Sequence, residues 1–174
     1  MTAASIKPTG REVPFGEEEL IVSKTNLKGH ITYANDVFLR LSKYPVKKVI
    51  GAPHSVIRHP DMPRCIFKLL WDTIQAKKEI FAYVVNMAMD GDHYWVFAHV
   101  TPTLDAQQNV TGFHSNRRKP NPDQVAKIKA LYQTLRAEEE RHDNRKDGML
   151  RSYDMLMALL KDKGVEYDEY IFSV

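Results

Sequence analysis

Apolar positions along this chain recur first at a period of two and later at a helical period, and the points where the period switches divide it into elements. ELIVSKTNLKGHITYAN, residues 19–35, reads as two short strands around a polar turn in which Asn26 and Gly29 supply the turn chemistry. A helix is expected from about Asn35, because Val37, Phe38 and Leu41 share a face before Tyr44-Pro45 closes it. IRHPDMPRCIFKLLW, residues 57–71, then sets Arg58, His59 and Asp61 around Pro60 and Pro63. Each proline fixes its own φ and moves the preceding residue out of the α region, so this is a stiff turn. It runs into a helix whose inner face is Cys65, Ile66, Leu69, Leu70 and Thr73, with Trp71 flanking. Two apolar runs rich in β-branched and aromatic residues follow over residues 79–104, joined at the hairpin dipeptide Asp90-Gly91, and NVTGFHSNRR adds a further strand after a turn at 105–109. The α+β arrangement that buries these faces most economically is one five-stranded antiparallel sheet with helices on one face.

The character changes at residue 121. Asn121 is a good N-cap, Pro122 suits the first helical position, and Gln124 completes a capping box. Val125, Ile128, Leu131, Tyr132 and Leu135 recur at helical spacing; a polar break, RHDNRKDG, precedes a second helix carrying Leu150, Tyr153, Leu156, Met157 and Leu160. The expected organisation is an N-terminal extension over 1–16, a main domain over 17–120 and a C-terminal helical extension over 121–174. These helices either cover the sheet or offer an apolar face to a partner or a second copy. The apolar ending EYIFSV favours contact with a partner or a homodimer.

Composition narrows the class. A chain of 174 residues with 43% hydrophobic and 27% charged positions is an ordinary soluble globular protein. No apolar run is long enough to cross a bilayer, and the N-terminus lacks a signal-peptide core, so direct membrane insertion and export are not expected. The single Cys65 fits a reducing compartment, and the expected location is cytoplasmic. The net charge of +3 comes without a basic stripe interleaved with aromatics, which argues against nucleic acid. The positive excess falls before residue 121 and suits an anionic small ligand. No nucleotide-binding Gly-rich loop or acid/base pair is present, so catalysis is not expected.

Strand, strand, helices and then a three-strand meander is the order of a PAS domain. YANDVFLRLSKY, GAPHSVIRHPDMP, DGDHYWV and GFHSNRR together resemble the PAS sensory domain of the bacterial aerotaxis and energy-taxis receptors over roughly residues 17–120. A short chain in which only helices follow resembles in particular the stand-alone PAS partner of split, two-protein energy-taxis systems. The resemblance implies a redox sensor that binds FAD noncovalently and relays to a membrane-bound chemotaxis transducer with a HAMP domain. It also implies that Asn35, His54, Arg58, His59, Asp61, Phe67 and Asn86 line or support the flavin pocket. Where the best-known family member has a tryptophan after the long helix, this chain has Ile80, which removes an aromatic stack on the cofactor.

A flavin site needs a flat apolar slot, hydrogen-bonding groups at its edge and a cation for phosphate. Asn86 can donate and accept on a strand facing such a slot, and Arg58 can grip phosphate oxygens bidentately. RHPDMP also reads as a rigid lead-in to the helix, with Asp61 pairing with Arg58 or capping the helix that follows. His54, His59, His93 and His99 keep open an axial ligand to haem b, the mark of a gas sensor, although a lone histidine is more often simply hydrogen-bonded. A cofactor-free interaction adaptor is the third reading. Cys65 on an apolar helix face reads as a core residue, not a nucleophile.

Overall fold

A computed structural model describes residues 6–174. Its sheet has five antiparallel strands in the order β2-β1-β5-β4-β3: β1 (Ile21–Asn26), β2 (Ile31–Ala34), β3 (Ile80–Met87), β4 (His93–Leu104) and β5 (Val110–Arg118). This order puts the chain's first hairpin beside its last strand and makes β5 the centre. Between β2 and β3 lie α1 (Asp36–Ser42), the short α2 (Val46–Val49), a 3-10 turn over His54–Ile57 and α3 (Arg64–Gln75). The β3–β4 hairpin turns at Asp90-Gly91 as expected. Gly91 has φ 91, and a Cβ there would meet the Lys7 carbonyl oxygen at 2.2 Å, so glycine is required both for the turn and for the approach of the N-terminal segment. That segment follows the hairpin through Val13 N–H to the His93 carbonyl and through an Arg11–Asp92 ion pair. The first five residues of the expected extension over 1–16 lie outside the described residues.

Alternation assigns the two faces. On β3 and β4, Ile80, Val84, Asn86, Ala98 and Val100 point toward α3; Phe113, Ser115 and Arg117 of β5 share that side by register. Phe81, Phe97 and His99 lie on the other side, where the Phe81 and His99 rings stack at 4.1 Å.

The C-terminal segment forms α4 (Pro122–Glu140), α5 (Arg145–Lys163) and α6 (Tyr167–Ser173). Asn121 and Gln124 make the expected capping box. α5 begins inside the polar break, because Asn144 accepts from the N–H groups of Lys146 and Asp147 as its N-cap. These helices are built into the core. Ile128, Tyr132, Leu135, Leu156 and Ile171 are buried in the same cluster as Phe38, Ile66 and Val96. Tyr132 Oη donates to the Tyr83 carbonyl of β3 at 2.6 Å, and Phe172 of α6 packs on Phe81 and Phe97. So EYIFSV docks on the chain's own sheet through buried Ile171, while Phe172 remains exposed.

Glu139 of α4 ties down the first turn of α3. It is buried, and its carboxylate accepts from the backbone N–H of Arg64 and Cys65 at 3.0 and 2.9 Å and from Ser152 Oγ at 2.9 Å. It therefore satisfies the first donors of α3, where a negative charge also meets the favourable end of the helix dipole. α4 and α5 cross closely: a Cβ on Gly148 would stand 2.4 Å from the Glu139 carbonyl oxygen. Among the described residues no helix is long and apolar enough to cross a membrane.

Candidate functional site

Between α3, the 3-10 turn and the inner face of the sheet lies a cavity of about 230 Å³. Its walls are largely apolar: Ile57 from the turn, Phe67 and Trp71 from α3, Val84, Ala98 and Val100 from the sheet. Its charged groups are all of one sign. Lys28, Arg58 and Arg117 line it, and no carboxylate does among the described residues.

Arg117 dominates. Register places it on the inner face of the central strand, between Ile21 of β1 and Ala98 of β4, with 3% exposure. Its Nη2 donates to Ser23 Oγ and, at 2.8 Å, to His54 Nε2; Nη1 has no partner. Burial pulls its pKa down to about 10, which still leaves it charged at neutral pH. A buried guanidinium with no carboxylate is costly, and a ligand with a negative or carbonyl edge would offset that cost. Arginine can only donate, so His54 Nε2 must accept and the ring proton sits on Nδ1. Burial, reinforced by the nearby Arg117 and Arg58 charges, pushes His54 down to about 3, so the ring stays neutral. Asn86, 3% exposed, lines the same space and carries a buried Nδ2 with no partner. At the rim Arg58 stacks on the Phe67 ring at 3.9 Å. Burial, then repulsion from Arg145, lowers its pKa.

Of the residues expected at the site, His54, Arg58, Phe67 and Asn86 come together here. The other four do not line the cavity. Asn35 caps α1: its Oδ1 accepts from Phe38 and Val22 N–H, and its Nδ2 donates to the Leu20 carbonyl, leaving its amide fully engaged in joining β1 to α1. His59 is buried in the stiff turn, where Nδ1 accepts from Asp61 N–H, and its ring packs edge-on against His93. Asp61 is exposed and pairs with Arg136 of α4 at 2.7 Å; it neither pairs with Arg58 nor caps α3, the latter being done by Glu139. Ile80 fills a small cluster with Ile74, Val100 and Phe113 at the cavity's lower end. Cys65 is buried beside Glu139 and Ser152, and burial pushes its thiol up to about 12, which makes it unreactive.

Sequence reasoning missed Arg117 and Trp71 as cavity walls. Trp71 supplies aromatic surface from α3, packed edge-on against Phe113 at 5.4 Å, on a strand neighbourhood where Ile80 offers none. Counting in twos puts Arg117 on the same side of its strand as Phe113 and Ser115, but which side faces the cavity is fixed only by the sheet's register.

A family model described as the PAS fold matches residues 31–116, which span β2 through most of β5 and supply most of the cavity's lining, Arg117 and the β1 residues lying just outside it. These residues are a PAS domain. Among similar proteins, the aerotaxis receptor of Escherichia coli (strain K12) is 33% identical over 129 residues, covering 74% of this chain and 25% of the receptor. The nitrogen fixation regulatory protein of Klebsiella pneumoniae is 26% identical, covering 59% of this chain and 21% of its own length. This chain thus spans about a quarter or less of these curated relatives. Solved structures agree on the fold. The light-state Aureochrome1 LOV domain superposes with a TM-score of 0.57 at 22% identity, covering 66% of this chain and 91% of that one. A light-oxygen-voltage domain studied with a flavin analogue gives 0.56 at 20% identity, covering 71% and 90%. Helices α4–α6 continue beyond the matched PAS segment and pack back onto it.

Proposed function

We propose that this PAS domain is a redox or energy-taxis sensor that holds FAD noncovalently in the cavity and reports its state, without turnover, to a membrane-bound chemotaxis transducer with a HAMP domain. The observation that carries the reading is that Arg117 and Asn86, each with a buried and unpartnered donor (Nη1 and Nδ2), line one cavity with no carboxylate in its wall among the described residues. The residues fit a flavin: Trp71, Phe67 and the aliphatic walls suit a flat ring, the two donors suit its carbonyl edge, and Arg58 suits phosphate. The similarity to the aerotaxis receptor, and the flavin named for one fold neighbour, support the same choice. The histidines favour haem b less, because His54 has its Nε2 engaged by Arg117, His59, His93 and His99 lie outside the cavity, and His114, which also lines it, has its Nε2 against Asn116 Oδ1 at 3.0 Å. The location that goes with this reading is the cytoplasm.

When bound, the isoalloxazine supplies two-electron redox chemistry that changes the charge at its edge. This chain's residues read that charge. Arg117 is tied at once to Ser23 of β1 and to His54 of the 3-10 turn, so any change in the pull on Nη1 redistributes those bonds. It is also four residues from the Asn121 cap of α4, joined by the short Lys119-Pro120 segment. Such a relay requires two arrangements biased differently by the two ligand states. The test is an absorption spectrum of freshly purified protein, with chromatography of the released cofactor. Paired flavin bands and release of FAD are expected, and Arg117→Met should release most of it. A Soret band, or colourless protein after riboflavin feeding, overturns the reading.

A further inference from the structure

A second cleft, of about 450 Å³, lies outside the first cavity, between the Pro60 turn and the C-terminal helices. Ser55 and Arg58 line both spaces, so Arg58 stands in the wall that separates them. Four arginines and two carboxylates line this cleft: Arg58 from the turn, Arg64 from α3, Arg136, Glu139 and Glu140 from α4, and Arg145 from the first turn of α5. Two of the arginines are neutralised within the fold. Arg64 Nε lies 3.5 Å from Glu139, and Arg136 is held by Asp61 at 2.7 Å and Glu140 at 2.8 Å. Arg58 and Arg145 have no carboxylate partner among the described residues, and they sit close enough for Arg145 to depress the pKa of Arg58. Two unneutralised guanidiniums facing one cleft raise each other's energy unless an anion lies between them.

We propose that this cleft is a phosphoryl-anion site completed by the C-terminal helices, with Arg145 and Arg58 as its two forks. Its contiguity with the first cavity through Arg58 makes the diphosphate of the dinucleotide the occupant favoured by position. In that form the inference rests on the flavin reading, and a free polyphosphate is the other source of the same chemistry. Either way α5 touches the ligand directly, which gives the C-terminal helices a contact with the site that does not pass through the sheet. Arg145 is an exposed helix residue outside the PAS match, so its removal should leave the fold intact.

The test measures binding of FAD, riboflavin and inorganic tripolyphosphate to the full chain and to Arg145→Ala and Arg145→Glu, with thermal midpoints confirming folding. Loss of one charge-assisted contact is expected to weaken FAD about tenfold, and Arg145→Glu more, with riboflavin unchanged. If the chain takes up no flavin but binds tripolyphosphate in an Arg145-dependent manner, the cleft stands as a free-phosphate site and the flavin reading falls. If FAD binds equally well to all three proteins and tripolyphosphate binds none, or if FAD and riboflavin weaken together, the cleft inference is overturned while the flavin reading survives.

Discussion

His54 is held neutral by a donor that cannot accept, and this has a consequence for stability. In the unfolded chain its pKa returns to about 6.5, whereas in the fold it is pushed down to about 3. Between those values the unfolded state binds a proton that the native state refuses, so stability falls as pH drops through 6.5 and continues to fall toward 3. His54 alone contributes a slope of up to about 1.4 kcal/mol per pH unit in that window, or on the order of 2 kcal/mol between pH 6.5 and 5. Urea titrations at pH 7 and pH 5 should show this loss in the parent and a smaller one in His54→Gln. An unchanged slope in the variant would place the acid sensitivity elsewhere, for instance on His59, whose pKa burial also lowers. The same residue illustrates what the chain discloses on reading. His54, Arg58, Phe67 and Asn86 were named through the family resemblance, and only Arg58 in its stiff turn and Asn86 on a strand facing a slot could also be read from their own chemistry. Arg117 was not, because its meaning depends on register across β1, β5 and β4, and the first residue of a basic Arg117-Arg118-Lys119 run at a strand end looks like solvent-facing charge until that register is known.

At the scale of elements, strands, hairpin turn and capping box follow from period and turn chemistry, and each sits where the pattern puts it. The cap of α3 does not, since its donors are satisfied by a carboxylate 74 and 75 residues away. No local pattern could announce that, and so Asp61 looked like the cap. Glu139 joins three helices through Arg64, Cys65 and Ser152 while only 4% exposed. Glu139→Leu strands the N–H groups and leaves Arg64 without its carboxylate, and it should cost about 3–5 kcal/mol. Glu139→Gln keeps one acceptor and should cost clearly less. The ordering of the two variants in denaturant midpoints checks the role; equal small losses would reduce Glu139 to a surface ion pair. Because α3 carries Phe67 and Trp71, its displacement should also lower flavin retention.

At the scale of the whole molecule, the division near residue 120 marks where the PAS match ends, but the core does not stop there. The apolar stripes of α4 and α5 are real; what the sequence left open was which surface they meet, and the contacts of Tyr132 with Tyr83 and of Phe172 with Phe81 and Phe97 put that surface on the chain's own sheet. Ile128, Tyr132, Leu135, Leu156 and Ile171 are each 3% exposed or less. At about 1.5–3 kcal/mol for each fully buried side chain, their loss is on the order of 10 kcal/mol, comparable to the entire stability of a typical domain. Truncation after Lys119 should therefore yield an aggregating fragment without flavin. Removal of 167–174 alone, which deletes α6 and uncovers Phe81 and Phe97, should leave a folded, flavin-bearing protein with a lower thermal midpoint. Partner binding separates the remaining possibilities, since Phe172 packs one side of its ring on Phe81 and Phe97 while 59% of the residue stays exposed to meet another surface. If Phe172→Ser keeps the parent's midpoint and loses the transducer, α6 serves both the fold and the output. If the 1–119 fragment instead stays monomeric, yellow and cooperative in melting, the helices are an appendage and the core ends with β5.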